Sequence, residues 1–107
     1  MELANRSAVK ADRFYIRHCA AQGFYPGVYY PHNEHFLWYA RLFQGDSAGA
    51  LAAANKTAEV AIENYCGPKK AVEGPRLRHL PWLTLARFGR WEEVLKVAQP
   101  PATNDFL

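Results

Sequence analysis

Apolar positions recur every three or four residues along most of this chain, and no stretch alternates strictly between apolar and polar. That spacing predicts helices with one buried face, and the missing period of two argues against strands. Residues 2–20 form the first such pattern. Leu3, Ala8, Ala11, Phe14, Tyr15 and Cys19 make an approximate apolar stripe, with Arg6, Lys10, Arg13 and Arg17 on another face. Gly23, Pro26 and Gly27 then break the helix, and Gly23 suits a left-handed stop. The connection holds Phe24, Tyr25, Tyr29 and Tyr30, an aromatic content that predicts a loop pinned against neighbouring helices.

A second helix is predicted from Pro31 or His32 to Gln44, because proline fits a first turn, where its missing N–H has no partner to lose. Phe36, Leu37, Trp38, Tyr39, Ala40, Leu42 and Phe43 make it apolar almost all round, so it requires neighbours on two or more sides. Gly45 ends it, and Asp46 or Ser47 caps a third helix from Ala48 to about Tyr65. The stripe Leu51, Ala54, Ala58, Ala61 and Ile62 is mostly alanine, which suits close approach of an antiparallel partner. Residues 66–76, "CGPKKAVEGPR", read as a linker. A fourth helix is expected over Leu77–Phe88, with Pro81 in its first turns or marking its true start. Gly89 stops it, and a short fifth helix over Trp91–Ala98 ends before Pro100 and Pro101. The expectation is one all-α domain of about five helices.

Composition narrows this picture. The chain has 107 residues, half of them apolar, enough for one domain with a core or for part of a repeat array. The longest apolar run, Phe36 to Ala40, is far below the roughly 20 residues of a membrane span. The charged N-terminus has no apolar signal segment, so the expected compartment is the cytoplasm. Cys19 and Cys66 have no partner at metal-ligand spacing and read as small buried hydrophobes. A net charge of +3, with basic residues spread out and one cluster at Lys69, Lys70, Arg76 and Arg78, does not make a nucleic-acid surface.

The second and third helix pairs share a pattern. "LWYARLFQGDSAGALAAA" lies over "PWLTLARFGRWEEVLKVA" when Gly45 is matched with Gly89; Trp38 then falls on Trp82 and Ala50–Leu51 on Val94–Leu95. Self-similarity of helix–turn–helix units marks a helical repeat. Through Leu37, Ala40, Gly45, Asp46, Ala50, Leu51 and Ala54 in one unit, and Gly89, Trp91, Val94 and Leu95 in the other, the chain resembles the tetratricopeptide repeat family. It is also similar to stretches of larger bacterial proteins of that kind.

The resemblance implies antiparallel helix pairs at 31–65 and 77–98 stacked as a short right-handed superhelix, with 2–20 as an unpaired repeat helix. The departures are a glycine spacing beyond the roughly 34 residues of the regular repeat, Pro81 within a first helix, and the absence of the family's consensus proline at the end of the second helix, after residue 62. It further implies a non-enzymatic module for binding protein or peptide. Tyr39, Arg41, Arg78, Trp82 and Arg87 are its candidate partner-binding residues, with Asn33, Phe36, Phe43 and Leu85 as further groove positions. Basic residues there favour an acidic peptide. A terminal unit cannot bury its own apolar face, so helix 36–43 is expected to be covered by a second copy, giving a homodimer, or by a larger partner. A third reading, a fragment of a longer repeat protein with no activity of its own, fits the missing first helix.

Chemistry offers one alternative. His32 and His35 stand three apart and share a helical face, so both imidazoles could reach one metal. Two ligands do not make a site, and His-Asn-Glu-His matches no metalloprotease pattern. The favoured reading has Asn33 or His32 capping the helix and His35 stacked among Tyr29, Tyr30 and Trp38. A metal or small-ligand site at Tyr29, Tyr30, His32 and His35 is the competing one. No nucleophile motif, phosphate loop or paired carboxylates at useful spacing occur, so neither a catalytic residue nor a cofactor is expected.

Overall fold

Two glycines set the helix boundaries that organise this protein. The structure, a computed structural model, describes residues 1–19, 28–63 and 77–97. All regular structure among them is helical: α1 (Glu2–Cys19), α2 (Tyr30–Gln44), α3 (Ser47–Glu63), α4 (Leu80–Arg87) and α5 (Trp91–Lys96). Gly45 and Gly89 both adopt left-handed backbone, with φ of 74° and 69°. At each, the glycine N–H donates three residues back, to Leu42 O or Ala86 O, and the next N–H donates five back, to Arg41 O or Leu85 O. This is the Schellman arrangement, which satisfies terminal carbonyls and needs a residue free of the Cβ penalty. The two glycines matched in sequence therefore make the same turn.

The helix starts beyond these two turns are built differently. Asp46 Oδ1 accepts the Gly49 N–H at 2.9 Å, an N-terminal cap for α3 as anticipated. After Gly89 no side chain caps α5; Arg90 instead grips both carboxylate oxygens of Glu93. Pro81 sits in the first turn of α4, which starts at Leu80.

Consecutive helices pack in order, α1 on α2, α2 on α3, α3 on α4 and α4 on α5. The core joins Val9, Tyr30, Leu37, Trp38, Ala50, Ala53, Ala54, Val60 and Leu80. On α3 the buried line is Ala50, Ala53, Ala54, Thr57 and Val60, about one position away from the expected stripe. Thr57 is fully buried because its hydroxyl donates to Ala53 O at 2.8 Å. Across the core, Trp38 Nε1 donates to Thr84 Oγ1 at 2.7 Å, and that hydroxyl donates to Leu80 O, tying α2 to α4.

Three expectations are corrected. On α1 the buried positions are Val9 and Asp12, with Ile16 packed against the core, while Leu3, Phe14, Tyr15 and Cys19 are exposed. The face toward α2 is chosen by polar pairing as well as by apolar area. Second, α2 starts at Tyr30 with no side-chain cap, and Asn33 reaches across to Asp12 Oδ2 at 2.7 Å. Third, α2, expected to find neighbours on two or more sides, leaves Phe36 and Phe43 41% and 67% exposed. No helix among the described residues is long and apolar enough to cross a membrane. The expectations for Gly23, Phe24, Tyr25, Pro26, Gly27, Cys66 and the 66–76 linker, and for the side chains of Ala61 and Ile62, lie outside the described residues.

Candidate functional site

Helix α1 carries Arg6, Lys10, Arg13 and Arg17 at intervals of four, three and four, a spacing that keeps them on one face. That face forms a wall of a cleft of about 470 Å³, closed by Glu34, Leu37 and Arg41 from α2 and Ala52, Ala53 and Lys56 from α3. Val9, Leu37 and Ala53 give it an apolar floor, and all three are buried. Six cationic side chains line it against one carboxylate, Glu34. Like charges held this close are tolerated when each has a compensating neighbour or lies open to water.

Four of the six are compensated. Glu2 places one carboxylate oxygen 3.7 Å from both Arg6 and Arg41. Arg41 also donates to Gly49 O at 3.2 Å. Lys56 pairs with Glu59 at 2.8 Å. Arg13 donates to Glu34 Oε1 at 2.6 Å and to Tyr30 Oη at 3.0 Å. Burial works against the Arg13 charge, yet its hydrogen bonds to Glu34 and Tyr30 prevail and raise the guanidinium pKa. Burial, opposed by Arg13, raises the Tyr30 phenol, so it stays protonated. Lys10 and Arg17 make no ion pair among the described residues, and both are exposed. Next to them Phe14 and His18 stack at 3.9 Å between ring centres, with His18 Nδ1 2.9 Å from Phe14 O.

The residues singled out by sequence do not converge. Arg41 lies in this cleft, whereas Arg78 and Trp82 line a second one between α3 and α4. Tyr39 is 46% exposed and packs on Phe43 at 4.7 Å, and Arg87 is exposed and borders neither cleft. The cluster at the start of α2 is divided too. Tyr30 turns inward to Arg13, His32 packs tilted against Phe36 at 4.5 Å, and His35 lies flat against Trp38 at 5.2 Å. Burial, then the charges of His32 and His79, lowers the His35 pKa. No group of three or more histidine, cysteine or acidic side chains among the described residues could hold a metal.

Arg6, Lys10, Arg13, Arg17 and Lys56 were not anticipated as site residues. The four on α1 were legible as one cationic face, but a solvated face has the same spacing, and only the positions of α2 and α3 turn it into a wall. No protein-family model, curated protein or solved structure matches this chain.

Proposed function

We propose that this protein is a tetratricopeptide-like interaction module that holds an acidic segment of a partner protein in the α1–α2–α3 cleft. The observation that carries the reading is the excess of six cations over one carboxylate in a concave site with an apolar floor. Helix geometry gives the stripe from Arg6 to Arg17 a length of about 16 Å. That matches about five residues of extended peptide at roughly 3.3 Å each. The paired Schellman turns and the stacking of consecutive helices support a repeat-like architecture.

Within this reading Lys10 and Arg17 are the first residues to meet the ligand, since they have no ion-pair partner to give up. Glu2 occupies Arg6 and Arg41 much as a ligand carboxylate would. The test is fluorescence anisotropy with a labelled ten-residue Asp/Glu-rich peptide, its Asn/Gln counterpart and a single-stranded oligonucleotide. The acidic peptide should bind, more weakly as salt rises. Lys10→Glu/Arg17→Glu should cost at least about tenfold, and Glu2→Gln should tighten binding. Indifference to the charge reversal, or preference for the oligonucleotide, would overturn the reading.

A further inference from the structure

The second cleft, of about 550 Å³ between α3, α4 and α5, has a different chemistry. Leu51, Pro81, Trp82 and Leu85 give it largely apolar walls. Only three charged groups border it: Arg78 from the turn before α4, and Glu93 and Lys96 from α5. Glu93 is already engaged, because both of its oxygens accept from Arg90. Arg78 and Lys96 are exposed, and neither makes a direct ion pair among the described residues. Lys96 does lie in the field of Glu93 and, behind Arg90, helps to lower its pKa. The result is an apolar hollow with two cations at its edge, Arg78 without an ion-pair partner among the described residues and Lys96 facing only a Glu93 already held by Arg90.

We infer that this cleft binds a small amphipathic carboxylate, its apolar body against Leu51, Pro81, Trp82 and Leu85 and its acid group on Arg78 and Lys96. The volume lies within the roughly 300–1,000 Å³ of small-molecule sites. A polyanion is the wrong occupant, since two cations cannot match it and the apolar walls would gain nothing. A neutral apolar molecule would leave the cations without a partner. A carboxylate joined to a hydrocarbon or aryl body satisfies both halves, and the acid gains charge-assisted hydrogen bonds from the guanidinium and ammonium groups. Asn55, one helical turn beyond Leu51 on α3, adds an amide at the same edge.

The experiment is a titration of the full chain with sodium octanoate and, separately, 1-octanol, followed by proton–nitrogen correlation spectra. Octanoate should shift Leu51, Leu85 and the Trp82 indole N–H saturably, with octanol at least about tenfold weaker. Arg78→Gln/Lys96→Gln replaces two exposed side chains. It should weaken octanoate by about tenfold while leaving octanol and the melting temperature unchanged. Equal binding of acid and alcohol, an unaffected double variant, or shifts confined to the α1 cleft would each overturn the inference, as would no saturable shift. The outcome is independent of whether an acidic peptide binds the first cleft.

Discussion

Asp12 and Glu34 are 3% and 1% exposed, yet each meets its partner across the α1–α2 contact, Asn33 for one and Arg13 for the other. Burial of a carboxylate is tolerable only with such partners. Replacing Arg13 by Met leaves Glu34 buried without its cation. Breaking a buried pair costs about 3–5 kcal/mol, and the half-exposed Arg13 brings the expected loss nearer 2 kcal/mol, measurable by urea unfolding. Arg13→Met/Glu34→Leu should recover most of it. Trp38 in the core and Trp82 in the second cleft give a second contrast. Thr84→Val keeps the side-chain shape but strands the buried Trp38 N–H, and should cost about 1–3 kcal/mol. Trp82 Nε1 is buried with no acceptor among the described residues, so Trp82→Phe removes a donor and no bond. Its unfolding free energy should stay within about 1 kcal/mol of the original, since relief of the stranded donor offsets the lost contact area. A larger loss would mean that the indole has an acceptor in solution.

At the level of helices, the turns were legible in the sequence and the faces less so. Glycine at 45 and 89 marked the helix ends because positive φ is costly for other residues, and that cost is local. Gly45→Ala and Gly89→Ala should each destabilise the fold by about 1–2 kcal/mol, read from denaturant midpoints. The α1 stripe was misassigned because periodicity reports which residues share a face, not which face a neighbour covers. Asp12–Asn33 and Arg13–Glu34 favour the side bearing Val9 and leave Phe14 in water. The α2–α4 junction has its own pH dependence through His35. Its pKa is lowered in the fold, so the unfolded chain takes up the proton first as pH falls. This contribution to stability is intact above the ordinary histidine value of about 6.5 and is lost between there and the lower native pKa. His35→Phe, which keeps a ring against Trp38, should flatten that part of a stability–pH profile. An unchanged profile would assign the acid sensitivity to other groups.

For the molecule as a whole, α3 is the shared wall of two clefts of contrasting chemistry. Ala52, Ala53 and Lys56 border the basic one, and Leu51 and Asn55 border the apolar one. The outer face of α2 adds a third surface, where Phe36, Tyr39 and Phe43 stand 41%, 46% and 67% exposed at helical spacing. We propose that a second copy covers it, in keeping with the expectation that a helix so apolar finds partners on several sides. Sedimentation equilibrium at tens of micromolar should then give a dimer. Phe36→Ser/Phe43→Ser should be monomeric with unchanged helical circular dichroism, and a monomeric original protein would sink the idea.

The sequence by itself determined the helical class, the order of the helices and the glycine turns between them. Those depend on periodicity and on local backbone energies that any short window carries. It also placed four cations on one face of α1 and an almost wholly apolar α2. The tertiary structure alone decided that Arg41 borders one cleft while Arg78 and Trp82 border the other. It also decided which of the six cleft cations are already neutralised. A charge becomes available for binding only when its neighbours leave it uncompensated, and those neighbours come from Glu2, Glu34 and Glu59 on three different helices. Spacing along one helix does record Glu2–Arg6 and Lys56–Glu59, but Arg13–Glu34 and Glu2–Arg41 cross helices and are settled by how α1 and α2 pack.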